Sequence, residues 1–132
     1  MKIAHIKLTF SNAYLLTGRK TVIVDTGSPG EEAKLLRAAE RAGVRPEDMS
    51  LILHTHAHFD HAGSTAALVK TLNIPAVVHR ADEEMMRTGK MNPLKPLGLE
   101  GRILMAVLRA TFPPSAPDLV AEIGRASCRE RV

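Results

Sequence analysis

The stretch Leu53-His54-Thr55-His56-Ala57-His58-Phe59-Asp60-His61-Ala62-Gly63 holds four of the chain's six histidines. Its centre, His56-x-His58-x-Asp60-His61, puts three imidazoles and a carboxylate into six positions. Imidazole nitrogen and carboxylate oxygen are the donors that zinc and related divalent ions accept. A packed core has no use for such density, because each buried histidine needs a partner for both ring nitrogens. A metal satisfies one nitrogen of each ring, and a neighbouring acceptor satisfies the other. The bland alternative is a solvated, His-rich loop. The spacing favours the metal.

In an extended backbone, residues two apart point to the same side, so His56 and His58 can grip one ion. Asp60 and His61 diverge in such a backbone, but the chain must turn here to enter the next helix. A turn lets both face a second ion, and Ala62-Gly63 permits it because small residues allow close backbone approach. A catalytic zinc takes three protein ligands and keeps a position for water. The cluster therefore carries half of a dinuclear site. Neither His5 nor His79, the two remaining histidines, lies in another ligand-rich stretch. The missing ligands are expected beyond this sequence, which reads as a truncated chain.

A chain of 132 residues makes one domain with a modest core. Its aromatics are Phe10, Tyr14, Phe59 and Phe112, so the core must be aliphatic. The formal charge is +4, but Arg125, Arg129 and Arg131 against Glu130 supply +2 of it. The rest is near balance, with no basic stripe or stacking platform for nucleic acid. The lone Cys128 excludes an internal disulfide. Met1 to Lys7 has no apolar region of a signal peptide, and no stretch approaches the roughly 18 apolar residues of a spanning helix. The expectation is a cytoplasmic protein without membrane contact.

Ala4, Ile6, Leu8 and Phe10 alternate with polar residues, as in a half-buried strand. Tyr14–Thr17 and Thr21–Val24 flank Gly18-Arg19-Lys20 and read as a hairpin. Asp25 to Gly30 is a turn-rich loop. Glu31 to Ala42 reads as a helix with an acidic first turn and Gly43 as its stop. Leu51-Ile52-Leu53 is a strand, Ser64 to Leu72 a helix, Ala76-Val77-Val78 a strand and Ala81 to Arg87 a helix. Such alternation predicts an α/β layer arrangement. Beyond a loop marked by Pro93, Pro96 and Gly98, Leu99 to Thr111 reads as an amphipathic helix with Ile103, Leu104, Val107 and Leu108 as its ridge. That ridge suits core packing, or a lid over the metal cleft. Residues 124–132 change composition abruptly and read as a disordered basic tail or non-native sequence, leaving 1–123 as the domain.

Val24-Asp25-Thr26-Gly27 after one strand, with Thr55-His56-Ala57-His58-Phe59-Asp60-His61-Ala62-Gly63 after another, resembles the metallo-β-lactamase superfamily. The resemblance implies an αββα sandwich of mixed sheets, of which this chain supplies the N-terminal half. It implies that His56 and His58 bind a first metal, that Asp60 and His61 bind a second, and that Asp25 supports the loop without being a ligand. The later ligands of the family are missing here. Two Zn2+ per complete site are implied, with iron or manganese as alternatives. Phe59 is expected to anchor the loop, His54 to sit at a core edge or behind the ligands, His79 to be a hydrogen-bonded structural histidine and His5 to be solvated.

The chemistry follows from charge. A divalent ion lowers the pKa of bound water to about 7, giving a hydroxide that attacks a carbonyl or phosphoryl centre. Asp60, at the metal, is placed to orient the hydroxide and to carry its proton to the leaving group, the catalytic role. The expected function is hydrolysis of a small-molecule thioester, lactone or related ester, in the style of the glyoxalase II-like and lactonase-like members. Alternatives are a nuclease or a mononuclear iron oxygenase on the same scaffold, or a metal-binding fragment without activity. Oligomeric state stays open.

Overall fold

Three antiparallel strands open the chain: β1 (Lys2–Lys7), β2 (Asn12–Thr17) and β3 (Thr21–Val24). Three more, β4 (Met49–Leu53), β5 (Ala76–His79) and β6 (Leu119–Ala121), extend the sheet in parallel. The strands lie in sequence order, β1-β2-β3-β4-β5-β6, in one mixed sheet. The computed structural model describes residues 1–91, 98–107 and 111–122.

Parallel neighbours require crossovers, and helices supply them. α1 (Glu32–Arg41) joins β3 to β4. α2 (Phe59–Ala62) and α3 (Thr65–Leu72) join β4 to β5. α4 (Glu83–Thr88) and α5 (Gly98–Val107) lie between β5 and β6. α1 stops where Gly43 takes φ +78, a left-handed conformation that glycine adopts without penalty.

Strand register explains the core. Ala4, Leu15, Ile23, Ile52 and Ala76 are successive partners across the sheet. They share one buried cluster with Leu35 and Ala39 of α1 and Leu68 of α3. Leu15, Ile23, Leu35, Ile52 and Leu68 are fully buried, each worth about 2–3 kcal/mol of burial. The alternate row, His5-Tyr14-Val24-Leu53-Val77-Leu119, lies on the other face by the period-2 rule. Leu53 and Leu119 on that row are exposed. The described residues thus form one αβ pair of layers, of the kind an αββα sandwich stacks twice.

Some sequence expectations need correction. β1 ends at Lys7, and Leu8–Ser11 is a turn closed by the Leu8 amide donating to the Ser11 carbonyl at 3.0 Å. Leu8 is buried all the same. The expected helix at 81–87 starts later: Arg80–Asp82 is a tighter turn, whose Ala81 amide donates to His79 Nδ1 at 3.2 Å. β6, three residues shortly after Pro117, gave no periodic signal. The helix expected over Leu99–Thr111 cannot reach Thr111, which bridges Lys90 in antiparallel fashion. Leu99 and Ile103 on that helix are exposed rather than in the core. Pro93, Pro96, Leu108 and the 124–132 tail with Cys128 lie outside the described residues, as do the side chains of Leu104 and Val107. Among the described residues no helix is long and apolar enough to cross a membrane.

Candidate metal centre

The carboxyl ends of β3, β4 and β5 converge on one sheet edge, where ligands bind in open α/β sheets. Asp25 follows β3, the histidine stretch follows β4, and Asp82 follows β5. Asp25 takes φ +60, left-handed backbone that asparagine and aspartate tolerate better than other side chains. Its amide donates to the Leu53 carbonyl at 2.9 Å, so the chain leaves β3 sharply and the carboxylate faces the histidine loop.

That carboxylate gathers the loop. Oδ1 accepts the Thr55 amide at 2.8 Å, and Oδ2 accepts the Thr55 hydroxyl at 2.7 Å. His61 Nδ1 lies 2.9 Å from Oδ2. An ionised carboxylate only accepts, so His61 carries its proton on Nδ1 and turns the Nε2 lone pair outward. His61 Nε2 lies 3.5 Å from Asp60 Oδ2. Two ligands on a tetrahedral ion, each about 2.1 Å from it, stand about 3.4 Å apart. Asp60 and His61 therefore have the separation of two donors to one ion.

The other pair is set differently. The His56 and His58 rings meet edge-on with centroids 4.6 Å apart, and His56 lies 4.0 Å from the His61 ring. His56 Nδ1 is 3.0 Å from the Thr55 hydroxyl. Since that hydroxyl's proton goes to Asp25, His56 Nδ1 is the donor and Nε2 is left free. Among the described residues no three His, Cys, Asp or Glu side chains form a group that could hold an ion by themselves. Four candidate donors, His56, His58, Asp60 and His61, thus gather at one sheet edge, with the His56 ring nearer that of His61 than that of His58.

Electrostatics separate the same groups. Burial pushes the Asp25 carboxyl up, but the facing His54 and His61 rings and two Thr55 donors outweigh it and hold it well below the usual carboxylate range. The bond to Asp25 raises the His61 pKa above 6.5, against burial. Burial, then the neighbouring His61 and His58, lowers the His56 pKa and favours the neutral ring that a metal needs.

The Metallo-beta-lactamase superfamily model matches residues 6–127. The chain belongs to the metallo-β-lactamase superfamily. It is 30% identical to a probable metallo-hydrolase of Methanocaldococcus jannaschii over 98 residues, 66% of this chain and 47% of that protein. It is 41% identical to an N-acyl homoserine lactonase of a Bacillus species over 54 residues, 41% of this chain and 20% of that protein. A metallo-beta-lactamase of Cronobacter sakazakii, solved as a mutant, superposes with a TM-score of 0.74 at 26% identity, covering 93% of this chain and 45% of that one. The chain thus spans about half the length of its first relatives.

Within this superfamily fold the histidine loop is fastened by residues outside it. α2 is a single turn, so its carbonyls find no partners within the helix. The Thr26 amide and hydroxyl both donate to the His61 carbonyl, at 2.7 and 3.0 Å. Ser11 Oγ donates to the Asp60 carbonyl. The Ala57 amide donates to Asp82 Oδ2 at 3.1 Å, and the Phe59 amide to Met91 Sδ at 3.4 Å. Thr26 stood in the quoted Asp-Thr-Gly stretch; Ser11 and Asp82 lie too far away in sequence for any spacing rule to find.

His54 is buried behind the ligands. The Thr26 hydroxyl donates to the His61 carbonyl, so Thr65 Oγ1 donates to Thr26 at 3.0 Å and His54 Nε2 donates to Thr65 at 3.0 Å. His54 Nδ1 then faces Asp25 Oδ1 at 3.7 Å, too long for a hydrogen bond. Phe59 packs against the core, its ring 6.3 Å from that of Phe10. His79 holds the Ala81 amide, and exposed His5 lies 2.7 Å from Asn12 Oδ1 and stacks on Tyr14.

Proposed function

We propose that this chain carries half of a dinuclear metal centre for hydrolysis of an ester-like bond in a small molecule, a lactone or thioester before others. The observation that carries the reading is the Asp25–His61 bond at 2.9 Å, which leaves His61 Nε2 3.5 Å from Asp60 Oδ2. A carboxylate behind a ligating histidine fixes its tautomer and raises its basicity, the usual support of a metal-bound imidazole. His56 and His58 hold a first ion, and Asp60 and His61 a second, with Zn2+ preferred and iron or manganese also suited to this donor mix. When bound, such ions acidify water and polarise a carbonyl oxygen. Asp60 accepts a proton at its carboxylate and delivers it to the leaving group. Asp25 keeps the His61 ring aimed and, held ionised by the facing His54 and His61 rings and the Thr55 donors, takes no proton itself. The remaining ligands of each ion come from outside the described residues.

The lactonase relative supports a lactone substrate. The assay is turnover of an N-acyl homoserine lactone and of an acyl thioester by the zinc-loaded chain. We expect turnover that chelation removes and that His58→Ala abolishes. Turnover retained in His58→Ala contradicts the mechanism. A second reading, a metal-binding module without turnover, is favoured by the lack of a self-sufficient group of three donors among the described residues. It predicts zinc uptake with no hydrolysis of either substrate.

A further inference from the structure

The turn between β1 and β2 lies far in sequence from the metal loop yet is bonded to it at one end and to α1's start at the other. Ser11, largely buried, donates its hydroxyl proton to the Asp60 carbonyl. Two residues earlier, the Thr9 amide and hydroxyl donate to Glu31 Oε1 at 2.9 and 2.7 Å. The second oxygen of Glu31 accepts the Ser28 amide at 2.8 Å. Glu31 is itself buried, and its own amide donates to Ser64 Oγ at 2.9 Å. Ser64 in turn donates to the Ser28 carbonyl at 2.6 Å. The Glu31 carboxylate thus joins the turn to the Asp25–Gly30 loop, and the Glu31 amide adds Ser64 at the end of the histidine loop.

We propose that Ser11 and Glu31 are positioning residues that set Asp60, and so the Asp60–His61 half of the centre, from the N-terminal hairpin. The inference rests on the metal reading above and extends it to residues that touch no ion. Its physical basis is the brevity of α2. A one-turn helix does not hold its own carbonyls, so an outside donor fixes where the Asp60 backbone sits. The Asp25 brace acts on His61 and leaves Asp60 unsupported, and Ser11 supplies the missing constraint. Glu31 holds the turn that carries Ser11, and its two oxygens accept four donors, Thr9 twice, Ser28 and Lys34, a set that suits an ionised carboxylate. Glutamine at this position turns one of those acceptors into a donor.

The test is a Co2+ titration of the full chain, read from ligand-field absorption, with zinc competition against a chromogenic chelator. His58→Ala and Asp60→Ala identify which half each equivalent occupies. We expect Ser11→Ala to weaken the Asp60–His61 equivalent by about tenfold or more and to alter its cobalt spectrum. The His56–His58 equivalent stays unchanged, and Ser11→Thr restores the parent behaviour. Glu31→Gln, acting through Thr9, produces the same selective loss and serves if Ser11→Ala unfolds. A parent that binds two ions while both variants bind them identically overturns this proposal alone. So does equal weakening of both equivalents. A parent that takes up no cobalt overturns the metal reading as well.

Discussion

The two halves of the histidine stretch are built to different standards. Asp60 and His61 sit in a one-turn helix whose carbonyls are held by Ser11 and Thr26 and whose ring is aimed by Asp25. His56 has a neighbouring threonine, and the described residues give the His58 ring no hydrogen-bond partner. The difference is one of preorganisation. His61 Nε2 lies 3.5 Å from Asp60 Oδ2, while the His56 and His58 rings lie edge to edge with centroids 4.6 Å apart. Bonds from Ser11, Thr26 and Asp25 fix the Asp60–His61 segment, whereas the His56–His58 segment is held by the Ala57 amide on Asp82 and by Thr55 beside His56.

The contrast breaks most severely at Gly63. A Cβ there would lie 2.3 Å from the Phe59 carbonyl oxygen and 2.4 Å from Pro29. Those are backbone and ring atoms with no room to yield, so Gly63→Ala should cost about 3 kcal/mol in urea denaturation. Asp25→Asn comes next. It keeps the shape but replaces a charged acceptor by an amide facing Thr55 and His61, for an expected loss of about 2 kcal/mol. His58→Ala should change the stability measured by urea denaturation by less than about 0.5 kcal/mol while abolishing turnover. Equal stability losses in Asp25→Asn and His58→Ala would erase the distinction between the halves.

Acid offers a finer probe of the same scaffold. Burial raises the Glu31 pKa, but bonds from Thr9 and Ser28, with Lys34 nearby, outweigh it and leave the group below its ordinary 4.5. A depressed folded pKa stabilises the protein above the unfolded value and loses that contribution as pH falls through the folded one. Stability should therefore decline below about pH 4.5 partly through Glu31, and Glu31→Gln should flatten that decline while lowering the plateau at neutral pH. An acid limb of unchanged steepness in Glu31→Gln would remove Glu31 from the account.

Much of the fold was legible because its signals are local. The alternation at Ala4 and Ile6, the hairpin around Gly18 and the stop at Gly43 each depend on a few neighbouring residues. Strand β6 was not, since three residues just after a run of prolines carry no period and are specified by their pairing with β5. Likewise the ligand candidates announce themselves by density, while Ser11, Glu31 and Asp82 do not. Their roles arise from bonds across 49, 22 and 25 positions, which only the folded chain brings within reach. Asp25 was expected to support the loop only through the family resemblance, and its left-handed backbone had no signal in the sequence.

Zinc titration of the chain and of two variants tests the central claim most directly. The account predicts two equivalents in the parent, loss of one in His58→Ala and loss of the other in Asp60→Ala. Zinc uptake that neither substitution changes, or no uptake by the parent, would contradict it.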